Sequence, residues 1–231
     1  MNRFIVFALM LFCMTMQIEA QTLSEEEVTA KMYQAFELNK AGKKAEALEL
    51  FLIVGENTKQ QRNEGERQVY VCSQTMACQC YELLGRYQEG YLLGKSLFQG
   101  KLNDEERKDV GHLYAMNGYM YACEFIQRDE KGRADYKRGR ELISEILPYS
   151  DGQVKEYAET KIPLSWYFEG AQYAMTQSYD EALSSYEKAL NGFRDLGRVS
   201  EEVDALSGIA SVKAHLCKFD EAKRVYYQAF V

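Results

Sequence analysis

WYFEGAQYAMTQSYDEALSSYEKA, residues 166–189, decides the fold. Trp166, Gly170 and Tyr173 stand at helical spacing, and Tyr179, Ala182, Tyr186 and Ala189 repeat that spacing beyond a short polar turn. Large and small residues alternate as they must where two helices cross closely. Gly or Ala on the first helix lets the second approach, and the aromatics three or four residues away fill the volume between one hairpin and the next.

The same order recurs on both sides of this stretch. Ala210, Phe219, Ala222, Tyr226 and Ala229 repeat it toward the C-terminus. Tyr114, Gly118 and Tyr121, answered by Tyr136, Gly139 and Ile143 after the charged stretch Arg128–Asp135, form another unit. Cys78, Tyr81, Gly85, Tyr87 and Gly90 carry an earlier one, and Ala35, Leu38, Gly42, Ala47 and Phe51 the first. The key small residues, Ala35, Cys78, Gly118, Gly170 and Ala210, are 43, 40, 52 and 40 residues apart. In the second unit Gly90 and Gly94 stand where Ala and an aromatic recur elsewhere, so its second helix is expected to pack more closely and less firmly. Composition agrees with a helical array: 46% hydrophobic residues, 17 Tyr, 11 Phe and 2 Pro in 231 residues, and nothing that reads as strand.

This pattern resembles the tetratricopeptide repeat (TPR), Trp-x2-Leu-Gly-x2-Tyr followed by Ala-x3-Phe and a terminal Ala or Pro. Residues 166–189 match at nearly every position, with Glu169 where Leu is usual. The spacings exceed the 34 residues of the compact form, so the likeness is to the long-helix branch of the family, and with the leader-like N-terminus described below to its exported bacterial type; six extra residues lengthen the two helices of a hairpin by roughly 9 Å in total. The resemblance implies an all-α fold, a right-handed α-solenoid of about five stacked helix hairpins in a TPR-like superhelix. Its units fall near 28–61, 71–104, 111–153, 163–196 and 203–231. It also implies a non-enzymatic scaffold that holds a protein or peptide in its concave groove.

Helix signals fall where such hairpins need them. Ser24 with Glu27 and Asn103 with Glu106 have capping-box spacing. Gly197 follows one helix, and Ser200 with Glu201 and Glu202 starts the next, placing carboxylates at its positive end. Pro148 closes a helix, and Pro163 either opens the Trp166 helix or kinks a longer one from Ser150.

The N-terminus differs. Arg3, an apolar run from Phe4 to Met16, and Ala20 ahead of Gln21 have the anatomy of a secretory signal peptide over residues 1–20. The expectation is an exported chain, periplasmic or in the cell envelope, with residues 21–231 as the solenoid. Cys72, Cys78, Cys80, Cys123 and Cys217 then remain, an odd count that is no disulfide framework, and most of them read as small core residues.

Groups that carry chemistry are sparse. His112 and His215 belong to different hairpins with no third ligand spaced nearby, so neither a metal site nor a Cys–His nucleophile is expected. No cofactor is expected either. A net charge of −7 without a basic face argues against nucleic acid. What remains is the first-helix surface that the resemblance assigns to the groove: Met32, Tyr33 and Phe36; Cys72, Met76 and Gln79; His112, Met116 and Tyr119; Tyr167, Phe168 and Met175. This stripe is mostly apolar and suits an apolar or aromatic segment, with methionines as its adaptable part. The competing reading is that longer helices bury part of it.

Val225, Tyr226, Tyr227 and Phe230 end the sequence without a polar closing helix. Two expectations follow: a solenoid that continues beyond Val231, or a face that self-associates. Membrane contact is expected only through export or through an anchor further on. Continuation supports an alternative, the sensor region of a membrane-bound histidine kinase or transcriptional regulator.

Overall fold

The computed structural model describes residues 23–127 and 134–229. The expected leader, residues 128–133 of the charged stretch, and Phe230 lie outside the described residues. Within them are ten α-helices, one 3-10 turn and no strand. The helices are α1 (Glu25–Lys40), α2 (Lys44–Thr58), α3 (Glu64–Leu83), α4 (Tyr87–Phe98), α5 (Asp104–Ile126), α6 (Tyr136–Ile146), α7 (Gly152–Met175), α8 (Tyr179–Asp195), α9 (Val199–His215) and α10 (Phe219–Gln228). The expected all-α series of consecutively stacked helix hairpins is the fold.

Both capping boxes form. The Ser24 hydroxyl accepts from the Glu27 amide at 3.2 Å while the Glu27 carboxylate accepts from the Ser24 amide at 2.8 Å. Asn103 and Glu106 reciprocate at 2.9 Å in each direction. α9 starts one residue before the expected Ser200, because the end of α8 sets its origin: Arg198 N–H donates to Phe193 O at 2.8 Å, and the Arg198 carbonyl then accepts the first bond of α9. Pro163 sits inside a continuous α7, and Pro148 lies in the 3-10 turn Leu147–Tyr149 that follows α6.

Five of the helix reversals share one device. Gly42, Gly85, Gln177, Gly197 and Cys217 adopt φ between 60° and 79°. At each, the next residue's amide reaches back to the carbonyl five positions earlier, as Lys43 does to Leu38 and Ser178 to Tyr173, both at about 2.9–3.0 Å. This is the Schellman closure, which satisfies carbonyls the helix end would otherwise leave open.

The chain divides into two compact units, residues 1–80 and 81–231, with the division inside α3. In the first, α1 packs on α2 around fully buried Ala35, Ala47, Phe51 and Val54, and Phe36 meets Phe51 edge-on at 5.4 Å. Gly55 of α2 leaves the space that the Gln74 carboxamide of α3 occupies.

In the second unit α4 packs on α5, α5 on α6, α7 on α8, α8 on α9 and α9 on α10. Its apolar side chains form two clusters, one around Tyr114, Leu142 and Ile143, the other around Tyr186, Phe193 and Ile209. The close approach expected at Gly90 and Gly94 is made against α5: a Cβ at Gly94 would stand 3.1 Å from the Tyr114 Cα, and one at Gly90 would strike Asn117 Oδ1. Tyr186 shows what the small residues are for. A Cβ at Gly170 of α7 would stand 3.0 Å from its ring and one at Gly208 of α9 2.7 Å, so one tyrosine is gripped between two glycines of successive hairpins.

Candidate functional site

α7 is the helix on which the candidate surfaces meet. Tyr157, Phe168 and Met175 are separated by 11 and 7 residues, close to whole numbers of helical turns, so they form one stripe. All three reach solvent, at 51%, 40% and 75% exposure. Trp166, Glu169 and Tyr173 recur at i, i+3 and i+7 on the opposite side.

The residues expected to line a groove divide accordingly. In the first unit Tyr33 is exposed, as are Cys72 and Gln79, while Met32 and Met76 are half-buried and Phe36 turns inward onto Phe51. In the second unit Met116, Tyr119 and Tyr167 pack against the clusters, and Phe168 and Met175 stay outside. Tyr119 of α5 stacks on Tyr157 of α7 at 6.2 Å and 28°, and Tyr167 touches both Phe168 and Tyr186 at 5.7 and 5.5 Å. Tyr157, absent from the sequence reading, joins the exposed stripe because α7 begins a turn and a half before it.

The other side of α7 carries a charged constellation. Arg140 of α6 is 9% exposed. It forks onto Glu169 at 3.0 and 3.2 Å, donates to the Ser165 hydroxyl at 3.3 Å, and lies over the Trp166 ring at 3.4 Å. Lys188 of α8 places its ammonium 4.2 Å from the same ring. Glu169 is where the repeat pattern carries Leu, and its buried arginine partner explains the departure. That substitution was the one sequence signal for the pair; nothing local marks Arg140, which is 29 residues away.

A second polar cluster ties α4, α5 and α6. Glu145 Oε1 accepts from Tyr91 at 2.9 Å, Tyr114 at 2.6 Å and Lys95 at 2.6 Å. Burial pushes the Glu145 carboxyl up, but the three donors outweigh it and hold it below its ordinary range. Burial, then the bond to Glu145, raises the Tyr114 and Tyr91 phenols.

His112 Nδ1 lies 3.0 Å from Asp151 Oδ1 and His215 Nδ1 2.8 Å from the Ser211 carbonyl, both exposed. Among the described residues no group of three metal-ligating side chains is present. Cys78, Cys80 and Cys123 are buried and Cys72 and Cys217 exposed; burial pushes the Cys78 thiol up to about 12. Among the same residues no helix is long and apolar enough to cross a membrane.

No family model and no curated protein matches the chain. Among solved structures it is similar to a Podosopora anserina chain described as a kinesin light chain with nearly identical TPR-like repeats. That likeness has 16% identity and a TM-score of 0.36, and covers 87% of this chain and 92% of the other.

Proposed function

We propose that the chain is a protein-interaction scaffold that offers the outer stripe of α7 to an apolar segment of a protein or peptide. One observation carries this: Tyr157, Phe168 and Met175 stand exposed in line along some 18 residues of a single helix, about 27 Å. Large apolar groups left in water in a row mark a surface for contact, and Met175 brings the pliability that lets one surface fit an irregular partner. The exposed groups of the stripe bind and do not react.

The test replaces Phe168 and Met175, whose exposure makes them safe to change, by Asp. Proteins captured from the native cell on the wild-type chain are expected to be lost on Phe168→Asp/Met175→Asp, with unchanged far-ultraviolet circular dichroism. Retained capture would refute the stripe as the contact surface.

We also propose that the chain acts outside the cytoplasm. The support is Arg3, the apolar run Phe4–Met16 and the small residue Ala20. Terminal sequencing of protein isolated from its own cells should begin at Gln21; a chain beginning at Met1 would count against export.

A further inference from the structure

The Trp166 face of α7 lines an open cleft of about 720 Å³ between α6 and α8, within the range of sites that hold small ligands or short peptide segments. Its charges are sorted. The Arg140 guanidinium is taken up by Glu169. Lys137 and Lys188 line the cleft without an ion-pair partner among the described residues, and so do Asp180 and Glu181. α7 and α8 run antiparallel, so Lys188 sits beside Trp166 while Asp180 and Glu181, in the first turn of α8, mark the other end. Eight residues of α8 separate Asp180 from Lys188, about 12 Å. That span is too long for the two charges of a free amino acid. It matches about four residues of extended chain at roughly 3.3 Å each.

We propose that this cleft binds an extended peptide segment carrying an acidic side chain and, about four residues away, a basic one. The acid lies against Lys188 beside the indole, and the base against Asp180 and Glu181. Lys188 is already held over Trp166, so little side-chain freedom is lost when the carboxylate arrives. The exposed Ser184 hydroxyl between the two ends can bond the peptide backbone. The cleft is on the side of α7 away from Phe168 and Met175, so the proposal stands or falls independently of the apolar stripe.

Trp166 is the chain's one tryptophan, so its emission reports on this cleft alone. The experiment titrates the full chain with fluorescein-labelled, end-blocked peptides in which Glu and Lys are separated by three Gly or Ser residues, reading anisotropy and Trp166 emission together. Saturable binding is expected. Peptides with Glu/Glu, Lys/Lys or adjacent Glu-Lys should bind about tenfold more weakly or less. Lys188→Ala and Asp180→Asn/Glu181→Gln, all at exposed positions, should each cost a similar factor, and Phe168→Asp should cost nothing. Equal binding of all peptides, no saturation by about 1 mM, or unchanged affinity in Lys188→Ala overturns the proposal.

Discussion

At the scale of single residues, the buried pair Arg140–Glu169 makes the sharpest prediction. Glu169→Leu restores the side chain usual for the repeat, yet it leaves a guanidinium at 9% exposure without its carboxylate. Breaking one side of a buried pair costs about 3–5 kcal/mol, whereas replacing both partners by apolar groups is often neutral. Glu169→Leu should therefore lower unfolding free energy by that amount in urea titrations, and Arg140→Met/Glu169→Leu should recover most of it. A harmless single variant would show that the pair adds nothing. The reversals make a second prediction. Gln177 and Cys217 hold φ of 61° and 60°, the left-handed region that costs a side-chain-bearing residue about 1 kcal/mol. Gln177→Gly and Cys217→Gly should each raise stability by about 0.5–1 kcal/mol, and Gly42→Ala should lower it by as much. A Cβ at Gly42 would meet nothing within 4 Å, so only backbone strain would be measured there. Gly197 was legible as the residue that ends a helix, whereas Gly42 and Gly85 stood in the sequence only as members of the repeat register. Gln177 and Cys217 were not legible as turn residues, because their types carry no such preference.

Between elements, the glycines set how close helices come and the tyrosines fill what remains. Gly208→Ala puts a methyl 2.7 Å from the Tyr186 ring, which also lies close against Gly170. Overpacking of this kind costs about 1–3 kcal/mol; thermal unfolding of Gly208→Ala indistinguishable from wild type would show that the contact yields. The Glu145 cluster gives a pH dependence. Its carboxyl is depressed in the folded chain, so its stabilisation is complete above the ordinary value of 4.5 and is lost as pH falls through the lower folded value. The stability gap between wild type and Glu145→Gln should be open at neutral pH and close below 4.5. A gap constant from neutral to acid pH would mean the three donors do not depend on its charge. Helix spacing in the sequence foretold the Tyr and Gly positions and both capping boxes. It could not foretell that Tyr91, Tyr114 and Lys95 converge on one carboxylate, since Tyr91 is 54 and Tyr114 31 residues from Glu145. Nor could it say which neighbour covers a helix face: Tyr119 faces outward by periodicity until Tyr157 stacks on it.

Taken as a whole, the chain carries thiols that sort by depth and not by number. Cys72 and Cys217 are open to solvent, whereas Cys78, Cys80 and Cys123 are buried, and the Cys78 thiol is pushed up to about 12, far from its reactive form. Disulfide-exchange reagents at neutral pH should modify Cys72 and Cys217 in the native chain, Cys72 slowly because burial raises its thiol too. The other three should react only in denaturant, with peptide mass spectrometry assigning each. Early modification of Cys123 would mean that the packing of α5 opens readily. Five cysteines lie beyond the expected leader, an odd count that argues against a full disulfide framework, but depth is a property of assembled helices and had to be seen. The shared Schellman joints have one more consequence. A hairpin entered and left through interchangeable hinges is a module, and the seams at Gln177 and Cys217 mark where an engineer could splice a duplicate of α8 and α9 into the array, lengthening it without redesigning any corner.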